Sequence, residues 1–224
     1  MAATRYRRLK LDPKLSALVL IDMENDFCKP GGTHYHPDGV DETIAPSAAL
    51  LQKCRQAGAA VIFVQSVRDP DSPEFVRFGN KPFILRGTWG STYIDELTPR
   101  PGEPVIEKNT HDCFHQTQMD VHLAKRGILP ETHSIMVIGV AANVCVYQAV
   151  IGFHVRHFNV VVPIDCCAGY AAGRRMLDTQ MRGPGYSYNV TVTKSPLIAF
   201  ERAPEGAAAG STKESTAFAW PTRG

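Results

Sequence analysis

Four apolar runs rich in β-branched residues constrain this chain more than anything else in it. They are Ala17-Leu18-Val19-Leu20-Ile21, Ala59-Ala60-Val61-Ile62-Phe63-Val64, the segment 134–138, and Phe158-Asn159-Val160-Val161-Val162. A strand that is apolar along its length, rather than at every second residue, is buried on both faces, as in a parallel sheet. Between the runs lie stretches of helical character. Residues 43–57 carry Leu50, Leu51 and Cys54 inward and stop at Gly58; residues 117–126 carry Met119, His122 and Leu123 partly inward and stop at Gly127. Segments 143–154 and 168–181 also read as helices, and Val105-Ile106 and Val190-Thr191-Val192-Thr193 as two further short strands. Strands alternating with helices predict an α/β fold: a parallel sheet with helices on both faces, joined by right-handed crossovers.

The 224 residues suit one such domain with a full core. Residues 1–14 are expected to be an irregular arm ending at Asp12-Pro13, and 15–200 the domain. Residues 201–224, rich in Ala, Gly, Ser, Thr and Pro, are expected to be mobile or to lie along a partner subunit. Residues 65–103 form a long Pro- and Gly-rich connection holding Arg68, Arg77, Arg86, Trp89 and Tyr93, of the kind used as lids or binding loops.

Net charge is +2, and no basic run exceeds Arg5-Tyr6-Arg7-Arg8, which argues against nucleic acid as a partner. No apolar stretch approaches the roughly 18 residues of a membrane span. The absence of an apolar segment before Leu15 argues against a secretory signal. The six cysteines are irregularly spaced without a C-x-x-C pair, which points to a reduced, cytoplasmic protein. There is no G-x-G-x-x-G after the first strand and no phosphate-binding G-x-x-x-x-G-K-[ST], so no nucleotide and no cofactor is expected.

The stretch Val137-Ile138-Gly139-Val140-Ala141-Ala142-Asn143-Val144-Cys145-Val146 reads as strand, tight turn and first helical turn, with Cys145 at or near the helix N-terminus. Unpaired N–H groups there lower a thiol's pKa and cradle anions. Cys145 is therefore either a nucleophile with an adjoining oxyanion site or a small hydrophobe packed behind the sheet. Asp22 ends the first strand and Lys108 follows the third. Each alone reads equally as a loop acid or a surface lysine. Together with Cys145 they share the carboxyl edge of a parallel sheet, where open α/β folds bind ligands.

These motifs resemble the isochorismatase-like superfamily of cysteine hydrolases. The resemblance rests on Leu20-Ile21-Asp22-Met23-Glu24-Asn25-Asp26-Phe27, on Glu107-Lys108, on Phe114 with Thr117, and on 139–146, with Asp165 after the fifth strand also fitting. It spans roughly residues 15–195 and implies a six-stranded sheet in a three-layer α/β/α Rossmann-like arrangement. It also implies an Asp-Lys-Cys triad at Asp22, Lys108 and Cys145. The oxyanion hole would come from the N–H groups of Ala141 and Cys145, behind a cis peptide preceding Ala141. Two departures stand out: Glu24 where relatives often carry Gln, and Thr110-His111-Asp112-Cys113 where they carry small residues.

Zinc-binding nicotinamidases of that superfamily place histidines after the second strand. Here Ser66-Val67-Arg68-Asp69-Pro70-Asp71-Ser72-Pro73 has none, so no metal site is expected. His34 and His36 form an H-x-H pair read as solvated or substrate-side. True isochorismatases lack the cysteine, so Cys145 argues for C–N cleavage: Asp22 takes the thiol proton, the thiolate attacks an amide or ureido carbonyl, and ammonia leaves. The remaining five cysteines are expected to be structural.

Arg86-Gly87-Thr88-Trp89-Gly90, ahead of a helix-like 91–97, resembles ureidoacrylate and N-carbamoyl amidohydrolases. The resemblance suggests a small N-carbamoyl, ureido or maleamate-like acid as substrate, with Asn25, Phe27, Arg86 and Trp89 at its binding site. A homo-oligomer, dimer or tetramer, is expected. The competing readings are a silent family member acting as a binding or scaffold subunit, a nicotinamidase-like amidase, and a flavodoxin-like ligand binder.

Overall fold

The structure, a computed structural model, describes residues 6–35, 39–170 and 172–202. Its strands are β1 (Leu9–Leu11), β2 (Ser16–Ile21), β3 (Ala60–Ser66), β4 (Val105–Lys108), β5 (Ser134–Gly139), β6 (Asn159–Pro163), β7 (Val190–Thr193) and β8 (Ile198–Phe200). Its helices are α1 (Asn25–Cys28), α2 (Val40–Ala57), α3 (Pro73–Val76), α4 (Met119–Lys125), α5 (Cys145–Val155) and α6 (Gly173–Met181).

Six strands form one parallel sheet in the order β4-β3-β2-β5-β6-β7. Every residue of β2 is buried, because the pleat sends its side chains alternately into two apolar layers. Ala17, Val19 and Ile21 pack with Met119, Leu123, Ala149, Phe153 and Leu177 from α4, α5 and α6. Leu18 and Leu20 pack with Val40, Leu50, Leu51 and Cys54 from α2. Burying such a side chain contributes about 1.5–3 kcal/mol, which is why the uninterrupted apolar runs end up in the centre. The result is the expected three-layer α/β/α sandwich.

Strand order reverses between β2 and β5: the chain runs outward through β3 and β4, then returns to β5 and runs the other way. A crevice opens outside the carboxyl ends of the strands at such a reversal. Register fixes what stands there. Ile21 pairs with Gly139, so Asp22 and Val140 follow side by side, and Ser66 pairs with Lys108. Gly139 has φ +125°, and a Cβ there would lie 2.0 Å from the Ile21 carbonyl oxygen. Only glycine lets β5 approach β2 this closely at the crevice.

Several local expectations change. The lead-in is not irregular: β1 pairs in parallel with β8 in a separate two-stranded sheet. The thiol-bearing helix begins at Cys145 and runs to Val155, and the helix expected over 117–126 is Met119–Lys125. The helix expected from 168 begins only at Gly173. A Cβ at Gly169 or Gly173 would sit 2.7 or 2.4 Å from Asn143 Oδ1, so this stretch packs against the turn before Cys145 instead of coiling. In place of a helix over 91–97 there are two 3-10 turns, Trp89–Ser91 and Asp95–Leu97, separated by extended backbone. The 65–103 connection is not structureless, since it also carries α3. His36, the first five residues of the arm and the tail from 203 onward lie outside the described residues.

Candidate active site

Cys145 is the first residue of α5, and the turn before it is pinned on all sides. Val140 N–H donates to the Ile21 carbonyl, Ala142 N–H to the Ala168 carbonyl, and the Val144 and Val146 N–H groups both donate to the Ala141 carbonyl. The Val140–Ala141 peptide is cis. Among the described residues, the N–H groups of Ala141 and Cys145 have no acceptor. Two free donors beside a thiol at a helix start are suited to hold a developing oxyanion.

Lys108 ties the site together. Its Nζ donates to Asp22 Oδ2 at 2.8 Å, to Ser66 Oγ at 2.7 Å and to the Thr110 carbonyl at 3.0 Å, and lies 3.5 Å from Cys145 Sγ. Asp22 and Lys108 are buried, while Cys145 keeps 8% of its surface exposed. Asp22 sits at φ 52°, a left-handed conformation that an aspartate tolerates at small cost and that turns the chain sharply at the end of β2. Its Oδ1 is buried and, among the described residues, has no partner. Burial alone would lower the Lys108 ammonium, but the Asp22 carboxylate, by its charge and its hydrogen bond, outweighs it and raises its pKa. The Cys145 thiol is pushed up to about 12, by burial first and by the Asp22 charge second, with Lys108 opposing. This direction favours the neutral thiol over a preformed thiolate.

Glu24 lies fully buried behind this group. Its Oε1 accepts from the Ser66 N–H at 2.7 Å, while Oε2 has no partner among the described residues. Burial, and then the Asp22 charge, raise its carboxyl well above the usual range, which favours the protonated form. A protonated Glu presents one donor and one acceptor, as a glutamine does.

On the outer side Phe27, His34, Phe75 and Phe83 form an aromatic cluster, with His34 and Phe83 centroids 4.0 Å apart. His34 is thus half-buried against Phe83 rather than solvated. The buried Arg68 lies over Phe83, is ion-paired with Glu74 and reaches the Val67 and Lys108 carbonyls. Loop 65–103 is anchored by Asp26, whose carboxylate accepts from the Thr33 and Ile84 N–H groups and fills the space a Cβ at Gly90 would need.

Of the residues expected to bind substrate, Phe27 stands in the aromatic cluster. The other three have these surroundings. Asn25 uses its side-chain amide to hold the Trp89 carbonyl and Thr92 Oγ1, and so fixes the loop. Trp89 is 54% exposed. Arg86 is half-exposed and already paired with Asp69 and Glu107. Glu107 lies on the face of β4 opposite Lys108, because neighbouring strand residues alternate. Asp165 holds the Ser195 N–H and hydroxyl, tying β6 to the 3-10 turn at Ser195–Leu197.

The isochorismatase-domain family model matches residues 16–193, which include Asp22, Lys108 and Cys145. The chain belongs to the isochorismatase family. Within it, ureidoacrylate amidohydrolase RutB of Caulobacter segnis is 30% identical over 186 residues, 72% of this chain and 76% of that protein. The crystal structure of N-carbamoylsarcosine amidase from Thermoplasma acidophilum is 29% identical with a TM-score of 0.66, covering 80% of this chain and 96% of its own. Nicotinamidase PncA from Bacillus subtilis, 21% identical with a TM-score of 0.70 over 80% and 99% of the two chains, shares the isochorismatase fold.

Two residues of this region were not singled out as site residues from sequence. His111 Nδ1 lies 3.5 Å from Cys145 Sγ, and Arg68 is buried close enough to influence both His111 and Glu24. The only signals in the sequence are that His111 follows Lys108 by three residues and Arg68 follows β3 by two.

Proposed function

We propose that this protein is a cysteine-dependent amidohydrolase that cleaves the terminal C–N bond of a small amide or ureido acid, N-carbamoyl or maleamate-like, and releases ammonia. The amide C–N hydrolase class is supported by membership of the isochorismatase family and by likeness to RutB and N-carbamoylsarcosine amidase. The observation that carries the cysteine mechanism is the single Lys108 ammonium in contact with both the Asp22 carboxylate and the Cys145 sulfur.

Asp22 takes the thiol proton through its unpaired Oδ1 as Sγ attacks the carbonyl carbon. The N–H groups of Ala141 and Cys145 receive the oxyanion, each worth about 2.7–4 kcal/mol by the usual oxyanion-hole measure. Lys108 holds the Asp22 carboxyl in place beside the sulfur. The tetrahedral adduct collapses, the amine leaves with the proton from Asp22, and a thioester-type acyl-enzyme remains for water to hydrolyse. Arg68, buried against the aromatic cluster and paired with one carboxylate, Glu74, is the favoured anchor for a substrate carboxylate over Arg86, which stands exposed between two. The aromatic cluster favours a flat chain between carboxylate and amide. A homo-oligomer is proposed on the exposed Trp89 and Phe78, and a cytoplasmic setting suits the six unpaired thiols.

The test is ammonia release from a panel of ureidoacrylate, N-carbamoyl amino acids, maleamate and nicotinamide, with Cys145→Ala, Arg68→Ala and Arg86→Ala alongside. Turnover of one of the acids, lost in Cys145→Ala and weakened far more by Arg68→Ala than by Arg86→Ala, supports the reading. Preference for nicotinamide would make the protein a nicotinamidase-like amidase. No turnover of any amide would leave a binding or scaffold subunit.

A further inference from the structure

Among the described residues, Lys108 Nζ and His111 Nδ1 each lie 3.5 Å from the Cys145 sulfur, and the Asp22 carboxylate also acts on the thiol. An ammonium has three hydrogens and accepts nothing. Lys108 already faces an oxygen acceptor on Asp22, on Ser66 and on Thr110, so its attraction to sulfur is chiefly electrostatic. The thiol hydrogen therefore points to one of two acceptors: the unpaired Asp22 Oδ1 on the buried side, or His111 Nδ1 on the solvent side.

His111 stands on the loop after β4 and is itself exposed. Its pKa is lowered by burial of the ring, then by the Lys108 and Arg68 cations, against the opposing carboxylates of Asp22 and Glu74. These groups, with the Cys145 thiol from α5, are the charged and titratable neighbours that act on it from the ends of β2, β3 and β4 and from α3. With its proton on Nε2, the neutral ring leaves Nδ1 free to accept.

We propose that His111 is a second base of this site, activating the water that hydrolyses the acyl-enzyme while Asp22 serves the acylation half. The inference rests on the acyl-enzyme reading above. Its geometric reason is access: Asp22 is buried, whereas His111 is exposed with its Nδ1 3.5 Å from the sulfur, so of the two bases His111 is the one open to solvent. His111 Nδ1 takes a proton from water as the water oxygen bonds to the acyl carbon. The C–S bond breaks, and the departing thiolate takes that proton back from the imidazolium. The products are the free acid and the thiol, and no further reactant is consumed.

Rapid-mixing kinetics with p-nitrophenyl acetate on the full chain test this, because that ester acylates a reactive thiol whatever the natural substrate is. In His111→Gln the p-nitrophenolate burst keeps the wild-type rate and amplitude. The following steady state falls about 100-fold, the usual weight of one general base. Intact mass should then show acetylated protein accumulating, and the acid-side loss of deacylation expected of the wild type should be absent. Deacylation within twofold of wild type, or a burst slowed as much as deacylation, would overturn the proposal. Cys145→Ala separates the two layers of the argument. If it abolishes the burst, a failed His111 prediction falls on His111 alone; if the burst persists, the acyl-enzyme reading itself fails.

Discussion

Lys108 Nζ lies 2.8 Å from Asp22 Oδ2, and both side chains are removed from solvent. A buried ion pair is poor value for stability, because desolvation offsets most of the attraction, yet breaking it by removing one partner leaves an uncompensated charge. The pair fixes the Asp22 carboxyl beside the Cys145 thiol. Lys108→Ala is predicted to lower unfolding free energy by about 3–5 kcal/mol and to abolish turnover. The double variant Asp22→Asn/Lys108→Met is predicted to recover much of the stability and none of the activity. Urea denaturation of the set checks this, and equal stability of Lys108→Ala and wild type would contradict it.

The buried thiols set the alkaline limit of the fold. Cys54, Cys145 and Cys166 are each pushed up to about 12 by burial, and Cys28, Cys113 and Cys167 are raised as well. Above pH 9 the unfolded chain loses thiol protons that the folded chain keeps, so stability falls as pH rises. The slope approaches about 1.4 kcal/mol per pH unit for each thiol, and the contribution is fully present below pH 9. Denaturation midpoints between pH 8 and 11 should show this decline. In the folded protein only Cys145, the cysteine with residual exposure, should react with iodoacetamide, at a rate that climbs with pH.

Glu24 is predicted to be neutral, so its glutamine variant should be benign. A carboxyl whose folded pKa is raised costs stability as pH climbs from the unfolded value toward the folded one. Glu24→Gln removes that cost, keeps an acceptor for the Ser66 N–H and leaves Lys108 in place. Its thermal midpoint should match wild type near pH 4.5 and exceed it increasingly toward pH 8. A gap of the opposite sign would mean that Glu24 is ionised and held by Lys108 and Arg68.

Much of this architecture was legible beforehand, for identifiable reasons. Asp22, Lys108 and Cys145 each follow an apolar run, and parallel strands deliver their ends to one edge, so their meeting follows from topology. His111 and Arg68 lie in loops whose path depends on contacts made elsewhere, such as Asp26 to Ile84, and no periodicity reports these. The pairing of Leu9–Leu11 with Ile198–Phe200 joins distant, three-residue segments too short to show a pattern. Arg86 drew attention as an arginine near an aromatic, but Asp69 and Glu107, separated from it in sequence, were the nearer partners.

Gly139 should be intolerant of even the smallest side chain. Gly139→Ala must relieve both a φ of +125° and a methyl 2.0 Å from the Ile21 carbonyl. Separating β5 from β2 is predicted to cost about 1–3 kcal/mol or more and to displace the Cys145 turn from Asp22. Activity should then fall further than the folded fraction does, which parallel circular dichroism and ammonia-release assays will resolve. A loss of activity no larger than the loss of folded protein would show that this close approach does not position the site.

The central claim is that Cys145 carries the substrate's acyl group. Acid-quenching wild-type protein during turnover of ureidoacrylate or maleamate, digesting it and measuring peptide masses tests this directly. The predicted result is an acyl adduct confined to the peptide bearing Cys145, forming and decaying at rates that account for ammonia release. Ammonia release sustained by Cys145→Ala, or an adduct on any other residue, would contradict it.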